Sequence, residues 1–332
     1  MLSDSIFLVT GATGRLGCEM TFRLEQLGAT VIPVVLPGYP LFPKRVNWPS
    51  KNKPVPVQTA DDLSHLTKPT TVINFHWTLD RRLAYTDQLL YEVNHNIHKN
   101  AFFWEWLEGT PCKHFINMST INIYSRLNDN PVSANTEPRP VTPYGIAKYT
   151  AEKFFDAYFN DSKIDVAHLR ICSVASYGEH PSQLLSRLYQ SAWEKQFMTI
   201  NAGHWVSIIY IDELIDLIIR AASRFERSRY ILAKPKIAVG EIASYFERIS
   251  GKSLNAEYVD SHPGSDGPIF ISDIDDFYTD WIRAHSVEEM ICRIISLNQH
   301  ACQTRANRVE RGEYPAFAKT KQIVDGITKD TK

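Results

Sequence analysis

Tyr144 and Lys148 lie four residues apart in a stretch that opens with Pro143. Proline is favoured at the first helical position, and on a helix residues four apart share a face. A phenol has a pKa near 10 and is a poor acid or base at neutral pH. A neighbouring ammonium favours the phenolate and brings it toward the range where proton transfer is useful. By itself such a pair is common on protein surfaces. It gains weight from two companions. Ser119-Thr120 follows the apolar run Phe115-Ile116-Asn117-Met118, and the C-terminal end of a buried strand is where open α/β sheets bind ligands. Gly11, Gly14 and Gly17 are spaced three apart directly after Ile6-Phe7-Leu8-Val9-Thr10. The chain has only 15 Gly in 332 residues, below the usual share of roughly 7%, so three at one junction form a concentrated signal. The first permits a tight turn, the second lets backbone approach a pyrophosphate, and the third allows close helix packing. The N–H groups of the helix that follows face the anion.

These groups need elements to position them. A strand, the Gly turn, an amphipathic helix ended by Gly28 and the strand Thr30-Val31-Ile32-Pro33-Val34-Val35-Leu36 make a βαβ unit. Residues 37–56 carry six prolines and read as an irregular loop. Apolar runs then predict strands near 55–57, 72–75, 115–118 and 166–171, with long helices over about 81–107 and 143–159. The alternation predicts an α/β fold, a Rossmann-type doubly wound parallel sheet with a smaller C-terminal α/β substrate-binding region. Further on, the pattern predicts a helix over 184–193 and a strand over 208–211. Asp212 is placed as the cap of a helix over 213–225, with further helices over 237–249 and 287–297. The expected division is a dinucleotide-binding domain over 1–176 plus part of 205–235, a substrate-binding region over 177–204 and 236–302, and a polar tail over 303–332.

Composition narrows the function. Thirty-six basic residues against 37 acidic give a net charge of −1, which argues against nucleic acid or an anionic membrane as a bulk electrostatic partner. No apolar run approaches the roughly 20 residues of a membrane span, and the first residues do not read as a signal peptide. The cysteines Cys18, Cys112, Cys172, Cys292 and Cys302 are scattered, odd in number and free of any C-x-x-C pair. They read as thiols of a cytoplasmic protein rather than a disulfide framework. His95 and His98, with His76 upstream, lack acidic or cysteine companions at metal-ligand spacing, so no metal is expected. Trp104 and Trp106 read as core or subunit-contact residues.

Taken in order, the motifs resemble the extended short-chain dehydrogenases/reductases, the NAD-dependent epimerase/dehydratase-like group of nucleotide-sugar epimerases, dehydratases and 4-keto-sugar reductases. Thr10-Gly11-Ala12-Thr13-Gly14-Arg15-Leu16-Gly17 matches the family's T-G-x-x-G-x-x-G loop, and Tyr144 to Lys148 its Y-x-x-x-K. Ser119 to Tyr124 is similar to S-[ST]-x-x-x-Y, with the active hydroxyl at Thr120, 24 residues before Tyr144. Val93-Asn94, Leu169-Arg170 and Tyr210-Ile211-Asp212-Glu213 resemble the family's V-N, L-R and V-D-D segments. The resemblance implies Tyr144 as the acid/base, Lys148 as the group that binds the nicotinamide ribose and lowers the Tyr144 pKa, Thr120 as holder of the reacting oxygen, and Asn94 as support. It implies cofactor contacts from Thr13, Arg15 and Leu16 with the three glycines, and from Asp62 and Leu63 near the adenine. Phe75, His76, Asn94, Met118 and Ile171 complete that set. Substrate contacts are expected from Thr120, Asn122, Ser173, Arg187 and His204. It also implies a homodimer built on the long helix after the fourth strand and the Tyr-Lys helix.

Departures from the pattern set the finer expectations. The second strand ends Val34-Val35-Leu36-Pro37 without the acid that meets the ribose 2′-OH in NAD-preferring members. Arg15, Lys44 and Arg45 instead predict a slight preference for NADP over NAD. Ile121-Asn122 replaces the Asp-Glu pair of dehydratases. Asn74-Phe75-His76-Trp77 stands where the family has H-x-A-A, so bulky Phe75 and Trp77 lie beside the cofactor. Val206 and His262 stand where arginines for a diphosphate are usual. The expectation is an NAD(P)-dependent sugar-modifying epimerase or reductase acting on a nucleotide-linked sugar. The alternatives are an NADPH-dependent reductase of another carbonyl compound and a non-catalytic dinucleotide-binding subunit.

Overall fold

Ile6–Thr10 is apolar on both faces, the composition of a strand covered by helices on each side. In a computed structural model, which describes residues 5–38, 52–80, 82–176, 182–225, 227–260, 267–278 and 284–297, it is the strand β1. The strands are β1 (Ile6–Thr10), β2 (Thr30–Val35), β3 (Val55–Pro56), β4 (Thr71–Asn74), β5 (His114–Thr120), β6 (Asp165–Ile171), β7 (Ser173–Ala175), β8 (Met198–Asn201), β9 (Trp205–Val206), β10 (Ile208–Tyr210), β11 (Arg229–Leu232), β12 (Ile237–Ala238) and β13 (Ala256–Val259). The helices are α1 (Arg15–Gln26), α2 (Ala60–Leu63), α3 (Tyr85–Asn96), α4 (Ala101–Glu108), α5 (Pro143–Tyr158), α6 (Leu184–Glu194), α7 (Ile211–Ser223), α8 (Val239–Ser250) and α9 (287–297).

Two compact units emerge. The first holds the described residues of Met1–Cys172, Ile211–Pro235 and Gly267–Arg283. Its seven-stranded sheet runs β11-β6-β5-β4-β1-β2-β3, every pair parallel. The chain builds outward from β1 through β2 to β3, then returns to β4 on the other side of β1. That reversal makes the β1–β4 crevice the topological switch point. Helices α1 and α7 pack together, as do α3 and α5. The aromatic core lies under α4 and α5: Trp104 is fully buried, edge-on to Phe115 and Phe155.

The second unit holds the described residues of Ser173–Tyr210, Lys236–Asp266 and Ala284–Lys332. Three short strand pairs, β7 with β10, β8 with β13 and β9 with β12, accompany α6, α8 and α9. Trp193 on α6 meets Phe246 on α8 edge-on.

Three elements differ from the sequence expectation. The helix predicted over 81–107 is broken into α3 and α4 by a 3-10 turn at His98–Asn100. There the Asn100 side chain donates to the His95 carbonyl freed by the break. Asp212 sits inside the first turn of α7 rather than capping it. Ile237–Ala238 is a strand, so the helix expected over 237–249 begins at Val239. Lys44, Arg45, His262, Cys302 and the tail over 303–332 lie outside the described residues. Among the described residues no helix is long and apolar enough to cross a membrane.

Candidate active site

The Gly loop closes over the switch point. Gly11 has φ +61°, and a Cβ there would stand 2.8 Å from the Phe75–His76 peptide that leaves β4. A Cβ on Gly17 would stand 2.4 Å from the Gly11 carbonyl oxygen. Both glycines are therefore required for loop, helix and β4 to touch. Helix α1 starts from Gly14 with no side-chain cap and no acid in its first turn, leaving its N–H groups and dipole directed at the loop. Gly11→Ala should lose about 1–2 kcal/mol from the left-handed conformation alone, and the clash with the β4 exit adds to that. A lowered urea midpoint checks it; an unchanged midpoint contradicts it.

Behind the loop, a row of buried polar side chains crosses the sheet. Thr10, Asn74, Asn117 and His168 are register partners on β1, β4, β5 and β6. The Thr10 hydroxyl donates to Asn74 Oδ1 (2.6 Å), Asn74 Nδ2 to Asn117 Oδ1 (3.0 Å), and Asn117 Nδ2 to His168 Nδ1 (3.2 Å). His168 Nε2 then meets Asp156 Oδ1 at 3.0 Å. Thr10 Oγ1 also accepts the His76 N–H (3.2 Å), which ties the row to the β4 exit. Burial holds the His76 imidazole down to about 4, so it is neutral at physiological pH, and its Nε2 accepts from Asn100 Nδ2 (3.1 Å).

The candidate catalytic groups lie at the end of β5 and the start of α5. Thr120, buried, closes β5, and its Oγ1 accepts the Asn122 N–H (3.2 Å) to start a 3-10 turn over Ile121–Ile123. Thr142 caps α5 by accepting the Gly145 N–H. A Cβ on Gly145 would lie 2.3 Å from the Asn122 carbonyl oxygen. This glycine therefore lets the turn after Thr120 rest on the turn bearing Tyr144. Lys148 is buried one turn on, its Nζ donating to the Met118 carbonyl (2.9 Å). The same Nζ lies 3.8 Å from the centroid of the Trp77 ring, a cation–π contact. Trp77 is in turn edge-on to Tyr144, with ring centroids 6.3 Å apart.

Burial pushes the Lys148 ammonium down to about 7, against the upward pull of Glu92 and Glu152. Between that value and the ordinary lysine range near 10.5, the unfolded chain binds a proton that the folded chain does not. Stability should therefore rise with pH across this window. Relative to Lys148→Met, the wild type should gain up to about 1.4 kcal/mol per pH unit between pH 7 and 10. Urea titrations of both proteins read the difference, and a pH-independent difference refutes the burial argument.

This arrangement has relatives. A family model described as "NAD dependent epimerase/dehydratase family" matches residues 7–232, about two thirds of the chain. The chain belongs to the NAD dependent epimerase/dehydratase family. The uncharacterized UDP-glucose epimerase YtcB of Bacillus subtilis (strain 168) is 25% identical over 276 residues, 77% of this chain and 86% of that protein. The UDP-glucose 4-epimerase of Thermotoga maritima, solved with UDP-glucose, has a TM-score of 0.75 at 17% identity, covering 89% of this chain and 99% of that one. The UDP-glucuronic acid 4-epimerase of Bacillus cereus, solved with NAD, has a TM-score of 0.70 at 19% identity, covering 89% and 96%. The seven-stranded parallel sheet is the fold these epimerases share.

Not every residue that the family pattern nominates lies at this cluster. Thr120, Tyr144, Lys148 and Met118 come together as described, and Thr13, Gly14, Arg15 and Leu16 line the Gly turn. Phe75 and His76 follow β4, against Gly11, and Ile171 ends β6. Asn94 does not join them: it is exposed on α3. The buried face of α3 carries Glu92 and Asn96, four apart. Glu92 accepts from Trp77 Nε1 (2.9 Å), and Asn96 pairs with the Thr78 backbone. Asp62 also has other work: its Oδ2 accepts the Gln58 and Thr59 N–H groups (2.9 Å each), a capping box that starts α2 and holds its carboxyl below the usual range. Leu63 is buried in the core. Asn122 is exposed beside Thr120. Ser173, Arg187 and His204 are exposed residues of the second unit. Sequence reasoning missed Glu92 and the cross-sheet row, and it named Trp77 only for its bulk.

Proposed function

We propose that this family member holds NAD on the Gly11–Gly17 turn and interconverts a hydroxyl and a carbonyl on the sugar of a nucleotide-linked sugar. The observation that carries the reading is the placement of Thr120, Tyr144 and Lys148 where the end of β5 rests on the start of α5, in a sheet whose switch point bears the glycine cradle. When bound, the nicotinamide supplies hydride transfer at the sugar carbon. Tyr144 takes or returns the proton of the reacting oxygen, and Thr120 hydrogen-bonds that oxygen. Lys148 interacts with the cofactor ribose and, when charged, stabilises the phenolate. Ile121-Asn122 offers no acid pair for water elimination, which favours epimerisation or keto reduction over dehydration. Asn122, Ser173, Arg187 and His204 are the proposed substrate contacts.

The preference for NADP drawn from Arg15 finds no support among the relatives: the Bacillus cereus epimerase is described with NAD, and the cofactor proposed here is NAD. A homodimer on α3 and α5 is part of the same proposal, and light scattering checks it. The direct test combines mass spectrometry of cofactor released from purified protein with NMR of UDP-glucose and UDP-glucuronic acid incubated without added cofactor. NAD in the release and an epimerised product are expected. An NADPH requirement moves the reading to a reductase, and intact substrates with no released dinucleotide overturn it.

A further inference from the structure

Trp77, on the segment after β4, engages three partners. Its ring face covers Lys148 Nζ at 3.8 Å, its ring lies edge-on to Tyr144, and its Nε1 donates to Glu92 Oε2. Glu92 is fully buried, and its other oxygen accepts from Gln88 Nε2 (2.8 Å), which fixes the carboxylate against the indole. Lys148 itself is only 5% exposed. Its stem comes from α5 and one donor goes to the Met118 carbonyl of β5. A ligand hydroxyl must come within about 2.7–3.2 Å of Nζ to accept a hydrogen bond, and an indole at 3.8 Å occupies that approach on its side. The Met118 carbonyl is strand backbone and cannot yield. Trp77 is a partly exposed side chain on the segment after β4 and is the group that can move.

We infer that the Trp77 indole and the nicotinamide-side ribose of a bound dinucleotide compete for the Lys148 ammonium, so that Trp77 sets the affinity for the nicotinamide half of the cofactor. This rests on the dinucleotide reading above. Trp77 is a positioning residue: it acts through Lys148. The indole face covers the side of a desolvated cation that ribose oxygens would otherwise meet. On binding, the Lys148 and Glu92 contacts are given up.

Isothermal titration at pH 6, where Lys148 is charged, with NAD and separately with ADP, on wild type, Trp77→Ala and Trp77→Leu, tests this. ADP carries the adenine and the diphosphate but no nicotinamide ribose. Leucine fills much of the volume while removing both the aromatic face and the N–H donor, so the result does not depend on the alanine variant folding. Both variants should bind NAD about 10- to 30-fold more tightly than wild type, the size of a desolvated cation–π contact, with ADP affinity unchanged. NAD affinity that is unchanged or weaker in the variants, with ADP still bound by all three proteins, overturns the competition alone. Binding of neither NAD nor ADP by any of the three overturns the dinucleotide reading and the competition with it.

Discussion

Tyr144→Phe is expected to leave a folded protein that binds NAD as the wild type does and turns over sugar nucleotide about 10²–10⁴-fold more slowly, the usual worth of a positioned acid or base. The edge contact with Trp77 and the place on the first turn of α5 belong to the ring and the backbone, which phenylalanine keeps. What disappears is the one group on that turn able to exchange a proton with the substrate. Thr120 holds an oxygen but stays protonated at working pH, and Lys148 is turned toward the Met118 carbonyl and the Trp77 face. The measurement is kcat together with a calorimetric NAD affinity. A fall in kcat with an NAD affinity within about twofold of wild type fits a proton-transfer role. Retention of more than about a tenth of the turnover means that another group moves the proton.

The features legible in the sequence were those carried by local spacing. The glycines report φ and close approach at one turn, and the structure places a positive φ at Gly11 and an impossible Cβ at Gly17. Residues 144 and 148 share a face because helical geometry requires it. A motif does not say which way a helix is rotated. Asn94 was nominated by its neighbours in sequence, but the face of α3 that packs inward is set by Glu92 and Asn96, whose partners Trp77 and Thr78 lie after β4. The cross-sheet row was hidden for a related reason. Its bonds join residues 64, 43 and 51 positions apart, and only strand register brings them together. Asp62 shows the limit from the other side. A carboxylate in a matching dipeptide can be used by the nearest backbone N–H groups, and the Thr59–Asp62 capping box does so.

The second large effect is expected from the buried pair beneath the β5 exit. Glu152 on α5 and Arg170 on β6 are each 1% exposed and bonded through two oxygens, Nε to Oε1 at 3.1 Å and Nη2 to Oε2 at 2.7 Å. Glu152 also accepts from Ser119, while Arg170 donates to the Tyr124 hydroxyl and the Ala134 carbonyl. Burial alone would raise the Glu152 carboxyl, but Arg170, together with His168 and the Ser119 hydroxyl, outweighs it and the group titrates below its ordinary range. That contribution is present above the unfolded carboxyl pKa and is lost as pH falls through the folded one. Glu152→Ala leaves a buried guanidinium without its counter-charge and should cost about 3–5 kcal/mol. Glu152→Leu combined with Arg170→Met removes both charges and should recover most of that, since a packed apolar pair commonly replaces a buried ion pair with little loss. The double variant should also show a shallower loss of stability in acid. Turnover should not recover. Ser119 and Tyr124 bracket Thr120 and the 3-10 turn that rests on Gly145, and the ion pair is the anchor they share. If urea midpoint and turnover recover together, the pair serves folding only. If the midpoint recovers and kcat stays low, with NAD affinity near wild type, the pair positions the Thr120 turn for chemistry.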